Sequence, residues 1–197
     1  MKNMKRILLI LWHPKIDSLC NALTEAYASG ALEAGHSIRI LKLGEHDAAT
    51  SWNLLVGENT GEHEEPIRNK RREDVKRADH IIFVFPTWRY TVPAILKWWF
   101  DRLFVPKFSH QYTWYLKWKR LLKWRTASFY CTCGWPWYTY IATLGHPWIK
   151  WMRWTCWFVG IKGKYSHLFT KLAPGLRTPQ EISGMLEKMK KFGTKAK

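Results

Sequence analysis

The sequence predicts a single α/β domain built on a doubly wound, five-stranded parallel sheet, strand order 2-1-3-4-5, with helices on both faces. Three observations carry that expectation. His80-Ile81-Ile82-Phe83-Val84-Phe85 is an unbroken apolar run of strand length, the pattern of a strand covered on both faces. Lys5-Arg6-Ile7-Leu8-Leu9-Ile10-Leu11 ends in a second such run. Between and after them, strand-like and helix-like periods alternate along the chain, as a parallel sheet with crossover helices requires.

Taken in order, Lys5–Leu11 is the first strand. Asp17-Ser18 then supplies a capping start for a helix whose apolar positions Leu23, Tyr27, Ala31 and Ala34 are helically spaced. Gly35 ends it, and His36 to Leu43 alternates apolar with polar residues, completing a βαβ unit with a right-handed crossover. Residues 44–66 hold Gly, Asn, Thr and acidic clusters without period and read as a long, mobile surface excursion. Ile67 to Arg77 is a charged helix that leads into the His80–Phe85 strand. Pro86 stops that strand, Thr87-Trp88-Arg89-Tyr90-Thr91 follows, and Pro93 stands at the expected first position of a helix running to Phe104. Pro106 to Lys123 mixes aromatic and basic residues with no clear period. Thr126 to Thr132 reads as the fourth core strand, broken by Gly134-Trp135-Pro136. Trp148 to Phe158 is a helix, Gly160 to Leu172 holds the last strand, and Thr178-Pro179-Gln180-Glu181 is a capping box that opens a terminal helix to about Phe192.

The 197 residues suffice for one full core, and 47% of them are hydrophobic. The apolar run Ile7–Trp12 is short and leads into His13-Pro14-Lys15, so no signal peptide is expected, and no run reaches the length of a membrane span. The four cysteines, Cys20, Cys131, Cys133 and Cys156, contain no Cys-x-x-Cys, and a reducing cytoplasm is the expected compartment. Residues 1–100 carry 14 Lys+Arg and 12 Asp+Glu, and residues 101–197 carry 18 and 3. The second half is therefore a basic surface suited to phosphates of a nucleotide cofactor or to another polyanion. Since no nucleic-acid-binding motif accompanies the charge, nucleic acid is not the expected partner.

Chemistry is expected beyond the carboxyl ends of the strands, where ligands of open α/β sheets bind. The loop Trp12–Asn21 presents His13, Ser18 and Asn21 at a helix N-terminus, where free N–H groups and the positive helix end converge on a phosphate. It contains no glycine, which excludes a P-loop or dinucleotide fingerprint. Capping by Ser18 and simple loop packing of His13 remain the alternative reading of those residues.

Three motifs carry a family resemblance. His-Pro-x-x-x-Ser-x-x-Asn follows the first strand, Phe-x-Phe-Pro-x-Trp-x-x-x-x-Pro-Ala-Ile-Leu-Lys-x-x-x-Asp-Arg-x-Phe occupies the middle, and Thr-x-Gly-x-Pro-x-Tyr follows the fourth strand. Together they resemble the flavin-dependent NAD(P)H:quinone oxidoreductases, the DT-diaphorase-like branch of the flavodoxin-like fold. The resemblance implies non-covalent FMN or FAD, hydride transfer from NAD(P)H, two-electron reduction of quinones and a homodimer. It places His13, Ser18 and Asn21 at the flavin phosphate. Pro86, Thr87, Trp88, Arg89 and Tyr90 fall along one edge of the ring, and Thr132, Cys133, Gly134 and Trp135 along the other. Tyr138 and His146 fall near the hydride acceptor, with Tyr140 competing for the position of Tyr138. The chain departs from the family in its 14 tryptophans. Trp12, Trp98, Trp135 and Trp148 stand where members usually have glycine, and Trp118, Trp124 and Trp154 are similar cases. Two other functions compete: an ancillary subunit of a potassium efflux system, and a flavin-free binder using the basic, Trp-rich half.

Overall fold

The computed structural model describes residues 4–43, 65–114, 117–139, 145–173 and 175–197. Most of the expected 44–66 excursion, and Tyr140, lie outside the described residues. Along the chain the elements are β1 (Arg6–Trp12), α1 (Leu19–Glu33), β2 (Ser37–Leu43), α2 (Glu65–Arg77), β3 (His80–Pro86) and α3 (Ala94–Leu103). There follow β4 (His110–Trp114), β5 (Lys117–Arg120), β6 (Thr126–Thr132), α4 (Pro147–Val159), β7 (Lys162–Phe169) and α5 (Pro179–Thr194).

The five-stranded sheet runs β2-β1-β3-β6-β7, all parallel. With β4 and β5 set aside as a separate antiparallel pair, this is the expected 2-1-3-4-5 order of a flavodoxin-like sheet. The alternation of side chains along each strand divides the interior in two. Leu8, Ile10, Ile81, Phe83, Phe85 and Phe129 face a core closed by Val75 of α2, Leu96, Trp99 and Phe100 of α3, and Trp148, Met152 and Cys156 of α4. Ile7, Leu9, Leu11, Ile82, Val84 and Tyr130 face the other core, closed by Leu23, Tyr27 and Ala31 of α1 and by Met189 and Phe192 of α5. Helices on both faces follow from strands that are apolar on both sides.

Helix boundaries follow their local chemistry. The Ser18 hydroxyl accepts the N–H of Asn21 at 3.2 Å, and Gly35 beyond α1 takes φ 77°, the left-handed conformation glycine adopts without strain. At α5 the capping box is complete, with Thr178 Oγ1 accepting from Glu181 N–H and the Glu181 carboxylate accepting from Thr178 N–H. Arg125 closes the other end of a helix, donating from Nε to the Val75 carbonyl and from Nη2 to the Lys76 carbonyl of α2. A guanidinium there offsets the negative helix end.

Three details differ from the sequence expectations. Pro93 is the N-cap of α3, not its first residue: its ψ of 145° is extended, and Leu96 and Lys97 donate to its carbonyl. Pro86 belongs to β3, paired with Thr132, because a strand's last residue can dispense with its N–H. The aperiodic stretch 106–123 contains the β4–β5 hairpin, whose faces are mostly exposed and so leave no apolar alternation to read.

Candidate active site

Two adjoining clefts lie beyond the carboxyl ends of β1, β3 and β6. The smaller, about 490 Å³, is lined by His13, Leu19, Cys20, Thr132 and Arg177 among others. The larger, about 1130 Å³, is lined by residues 87–94 together with Lys97, Trp135 and Trp151. Thr87, Trp88, Cys133 and Gly134 line both, so the clefts form one crevice with the Trp88 indole between its halves. The smaller volume falls within the range of small-molecule and cofactor sites, about 300–1,000 Å³, and the larger slightly exceeds it.

The crevice walls are tied to one another. Thr87 donates both its N–H (2.8 Å) and its hydroxyl (3.2 Å) to the Thr132 carbonyl, fixing the loop after β3 to the end of β6. Cys133 N–H donates to the Phe169 carbonyl, and Leu172 N–H returns to the Cys133 carbonyl, fixing the loop after β7 as the third wall. Trp88 meets Trp12, at the end of β1, edge to face at 4.8 Å between centroids. Between Trp88 and Thr91 the chain makes a two-residue reverse turn, each residue donating to the other's carbonyl at 3.0–3.1 Å. Its central residues Arg89 and Tyr90 have φ of 47° and 67°. Such turns are usually filled by Asn-Gly. Two larger side chains held left-handed store on the order of 1 kcal/mol each, and strain of this kind gathers at ligand sites.

The electrostatics favour an anion. Among the described residues no aspartate or glutamate lines either cleft, whereas Arg89, Lys97 and Arg177 do, Lys97 paired with Asp101 and Arg177 with Glu181. α1 has no acidic residue in its first turn, so the N–H groups of Leu19 and Cys20 and the positive helix end stay uncompensated beside the smaller cleft. His13 Nδ1 lies against the Lys15 backbone, 3.0 Å from its nitrogen and 3.1 Å from its carbonyl oxygen, which orients the ring. Burial lowers its pKa, favouring the neutral form. Arg177 is held in place by the Thr170 carbonyl and the Glu181 carboxylate. Burial pushes the Cys20 thiol up to about 12, and its Sγ lies 3.2 Å from the Thr132 hydroxyl; it is a packed thiol, not a nucleophile. A neutral-to-cationic donor set at one end and aromatic walls at the other fit a phosphate-bearing aromatic cofactor such as FMN.

Of the residues singled out in the sequence, the structure brings His13, Pro86, Thr87, Trp88, Arg89, Tyr90, Thr132, Cys133, Gly134 and Trp135 to the crevice. Ser18 is buried as the α1 cap, and Asn21 donates its amide to Glu25 at 2.9 Å; neither lines a cleft. Tyr138 is exposed against Trp137, outside both clefts. His146 caps α4 with φ 57°, its pKa lowered by burial and by Lys150, and it too lies outside both. Sequence reasoning missed Leu172, Ala173, Gly175 and Arg177, the wall that follows β7. The signal was present in part, since the fifth strand in the 2-1-3-4-5 order must end beside the fourth, and Gly175-Leu176-Arg177 precedes the capping box.

The sequence matches the flavodoxin-like fold family over residues 5–192. The chain belongs to that family. Among relatives, this flavodoxin-like chain is 31% identical over 122 residues to the ribosyldihydronicotinamide dehydrogenase-like protein traD of Penicillium crustosum, covering 53% of this chain and 46% of that protein. It is 28% identical over 130 residues to NAD(P)H dehydrogenase [quinone] 1 of Rattus norvegicus, covering 55% and 46%. In each case the alignment takes in about half the length of the curated relative. Among solved structures, the FMN-dependent NADH-azoreductase of Bacillus anthracis, in complex with FMN, superposes with a TM-score of 0.73 at 18% identity, covering 98% of this chain and 99% of that one. At that identity the likeness is one of fold.

Proposed function

We propose that this protein is a flavin-dependent NAD(P)H oxidoreductase that reduces quinones by two-electron hydride transfer, using FMN or FAD. The observation that carries the reading is the crevice itself. It sits at the carboxyl ends of β1, β3 and β6, its walls contain no carboxylate among the described residues, and it joins a helix N-terminus to an aromatic chamber. The relatives whose names specify NAD(P)H, quinone or FMN supply the reaction class.

Bound flavin supplies the relay of a hydride from NAD(P)H to the acceptor. The chain's own residues bind and orient. His13 and the first-turn N–H groups of α1 would hold the phosphate, with Arg177, itself paired with Glu181, beside them as a further N–H donor. The Thr87–Tyr90 and Thr132–Trp135 segments would hold the ring between them, and the hydrogen bonds from Thr87 to the Thr132 carbonyl fix their spacing. Trp88 and Trp135 narrow the larger cleft. Tyr138 and His146, which lie outside both clefts, take no part in this reading. A homodimer belongs to the same reading. Tyr112, Trp114, Trp154 and Trp157 are exposed on β4 and α4, a surplus of aromatic surface that a second copy would cover.

Purified protein should be yellow or become so on titration with FMN, and should then oxidise NADPH in the presence of a simple quinone with no partner protein. A colourless protein that binds neither flavin and oxidises no NADPH overturns the proposal. Stable binding of single-stranded nucleic acid by such a protein, weakening steeply with salt, would instead establish the basic, Trp-rich binder.

A further inference from the structure

Resting on the oxidoreductase reading, the geometry points to NADPH over NADH as the hydride donor, with Arg89 as the group that reads the donor's 2′-phosphate. Three observations converge. First, a site that prefers the unphosphorylated nucleotide grips the ribose diol with a carboxylate, and one that prefers the phosphorylated form offers an arginine in its place. The larger cleft, the half of the crevice with room for a second ligand beside a flavin, has no Asp or Glu among its described lining residues and has Arg89 and Lys97.

Second, the two cations are not equivalent. Lys97 lies 2.5 Å from the Asp101 carboxylate one helical turn away, a pair with no net charge. Arg89 is exposed and has no ion pair among the described residues, so it carries the net positive charge of this wall. A planar guanidinium also meets a phosphate through two parallel N–H donors, which an ammonium does not.

Third, Arg89 is presented rigidly. It is the first central residue of the Trp88–Thr91 turn, closed at both ends by 3.0–3.1 Å hydrogen bonds and anchored through Thr87 to the end of β6. Both central residues are left-handed, so this backbone departs from what Arg and Tyr choose for themselves, and the turn holds Arg89 on the cleft wall with its side chain exposed. Tyr90 and Trp135, on the same cleft, offer rings against which an adenine can lie.

The test is direct binding. Calorimetric titration of the flavin-loaded protein with 2′,5′-ADP and with 5′-AMP compares two nucleotides that differ in the 2′-phosphate. Wild type should bind 2′,5′-ADP roughly 10- to 100-fold more tightly, the span expected for a charge-assisted contact. Arg89→Gln should erase most of that ratio and Arg89→Lys should retain part of it, while thermal melting shows that both variants are folded. In steady-state kinetics the NADPH-to-NADH ratio of kcat/KM should fall in the same order. Equal affinity for the two nucleotides, absence of binding by both, or a preference unchanged in Arg89→Gln overturns the assignment. Its failure is distinguishable from that of the parent reading. Protein that takes up flavin and oxidises both donors equally refutes only the Arg89 role. Protein that binds no flavin yet prefers 2′,5′-ADP through Arg89 upholds the phosphate site and refutes the oxidoreductase.

Discussion

Replacing Gly193 by alanine should destabilise the protein, although alanine is the better helix former. A Cβ at Gly193 would lie 2.1 Å from the Tyr27 carbonyl oxygen and 2.9 Å from the Ala31 nitrogen of α1, both backbone atoms that no rotamer change can move. Gly30 on α1 is the reciprocal contact, with the Lys190 carbonyl 2.1 Å from its would-be Cβ. Restoring an ordinary separation of about 3.4 Å would push α1 and α5 apart by about 1.3 Å. That would loosen the core formed by Tyr27, Met189 and Phe192. Overpacking of this kind costs about 1–3 kcal/mol or more, with a rigid backbone clash at the upper end, and the gain in helix propensity returns at most about 1 kcal/mol. The expected net loss is at least about 2 kcal/mol, a fall in Tm of roughly 4–8 °C for a chain of this size. Gly184 is the control. It lies in the same helix with open space where its Cβ would stand, nothing coming within 4 Å, so Gly184→Ala should raise Tm by roughly 1–4 °C. Urea denaturation with constant m and thermal melts of the two variants measure both signs. A Gly193→Ala protein as stable as wild type would refute the close crossing of α1 and α5.

Further outcomes follow from the same structure. Trp135→Gly should raise flavin occupancy or quinone turnover, because the indole, 68% exposed at the rim of the larger cleft, competes there with a ligand. FMN titration and NADPH-dependent quinone reduction check it, and no change in either would place the indole outside the ligand's volume. Trp124→Gly should stabilise by about 1 kcal/mol, since left-handed strain is removed and little burial is lost. Trp124 holds φ 75° while 96% exposed; a lower Tm in the variant would contradict the expectation. Stability should also fall on acidification from the ordinary histidine range toward pH 4. His80 is wholly buried between the Thr126 and Ser128 hydroxyls, and burial, then Lys5, lowers its pKa to about 4. The folded pKa is the lower one, so the unfolded chain takes up the proton first and folding loses up to about 3 kcal/mol across that window, with no further loss below it. His80→Gln should flatten the slope measured by denaturation at stepped pH.

The sequence by itself determined the layer architecture. Ile7–Leu11 and His80–Phe85 are apolar almost throughout, and only a strand covered on both faces satisfies such a run; their adjacency in the sheet, with Leu9 opposite Ile82, follows. Local chemistry also determined the helix starts at Ser18 and Thr178, since caps are satisfied within a few residues. Half of the crevice was legible for a related reason: loops that leave parallel strands must emerge at their carboxyl ends, so Thr87–Tyr90 and Thr132–Trp135 had to meet there. Only the tertiary structure decided the rest. The wall after β7 depends on hydrogen bonds from Cys133 to Phe169 and from Leu172 to Cys133. The left-handed pair Arg89-Tyr90 defies the preferences of its own residues, and the approach of Gly30 to Lys190 joins positions 160 residues apart. Tyr138 and His146 lie outside the crevice by their tertiary placement. Ser18 and Asn21 are instead engaged locally, by the Asn21 N–H three residues on and by Glu25 four residues on, spacings that the sequence does display.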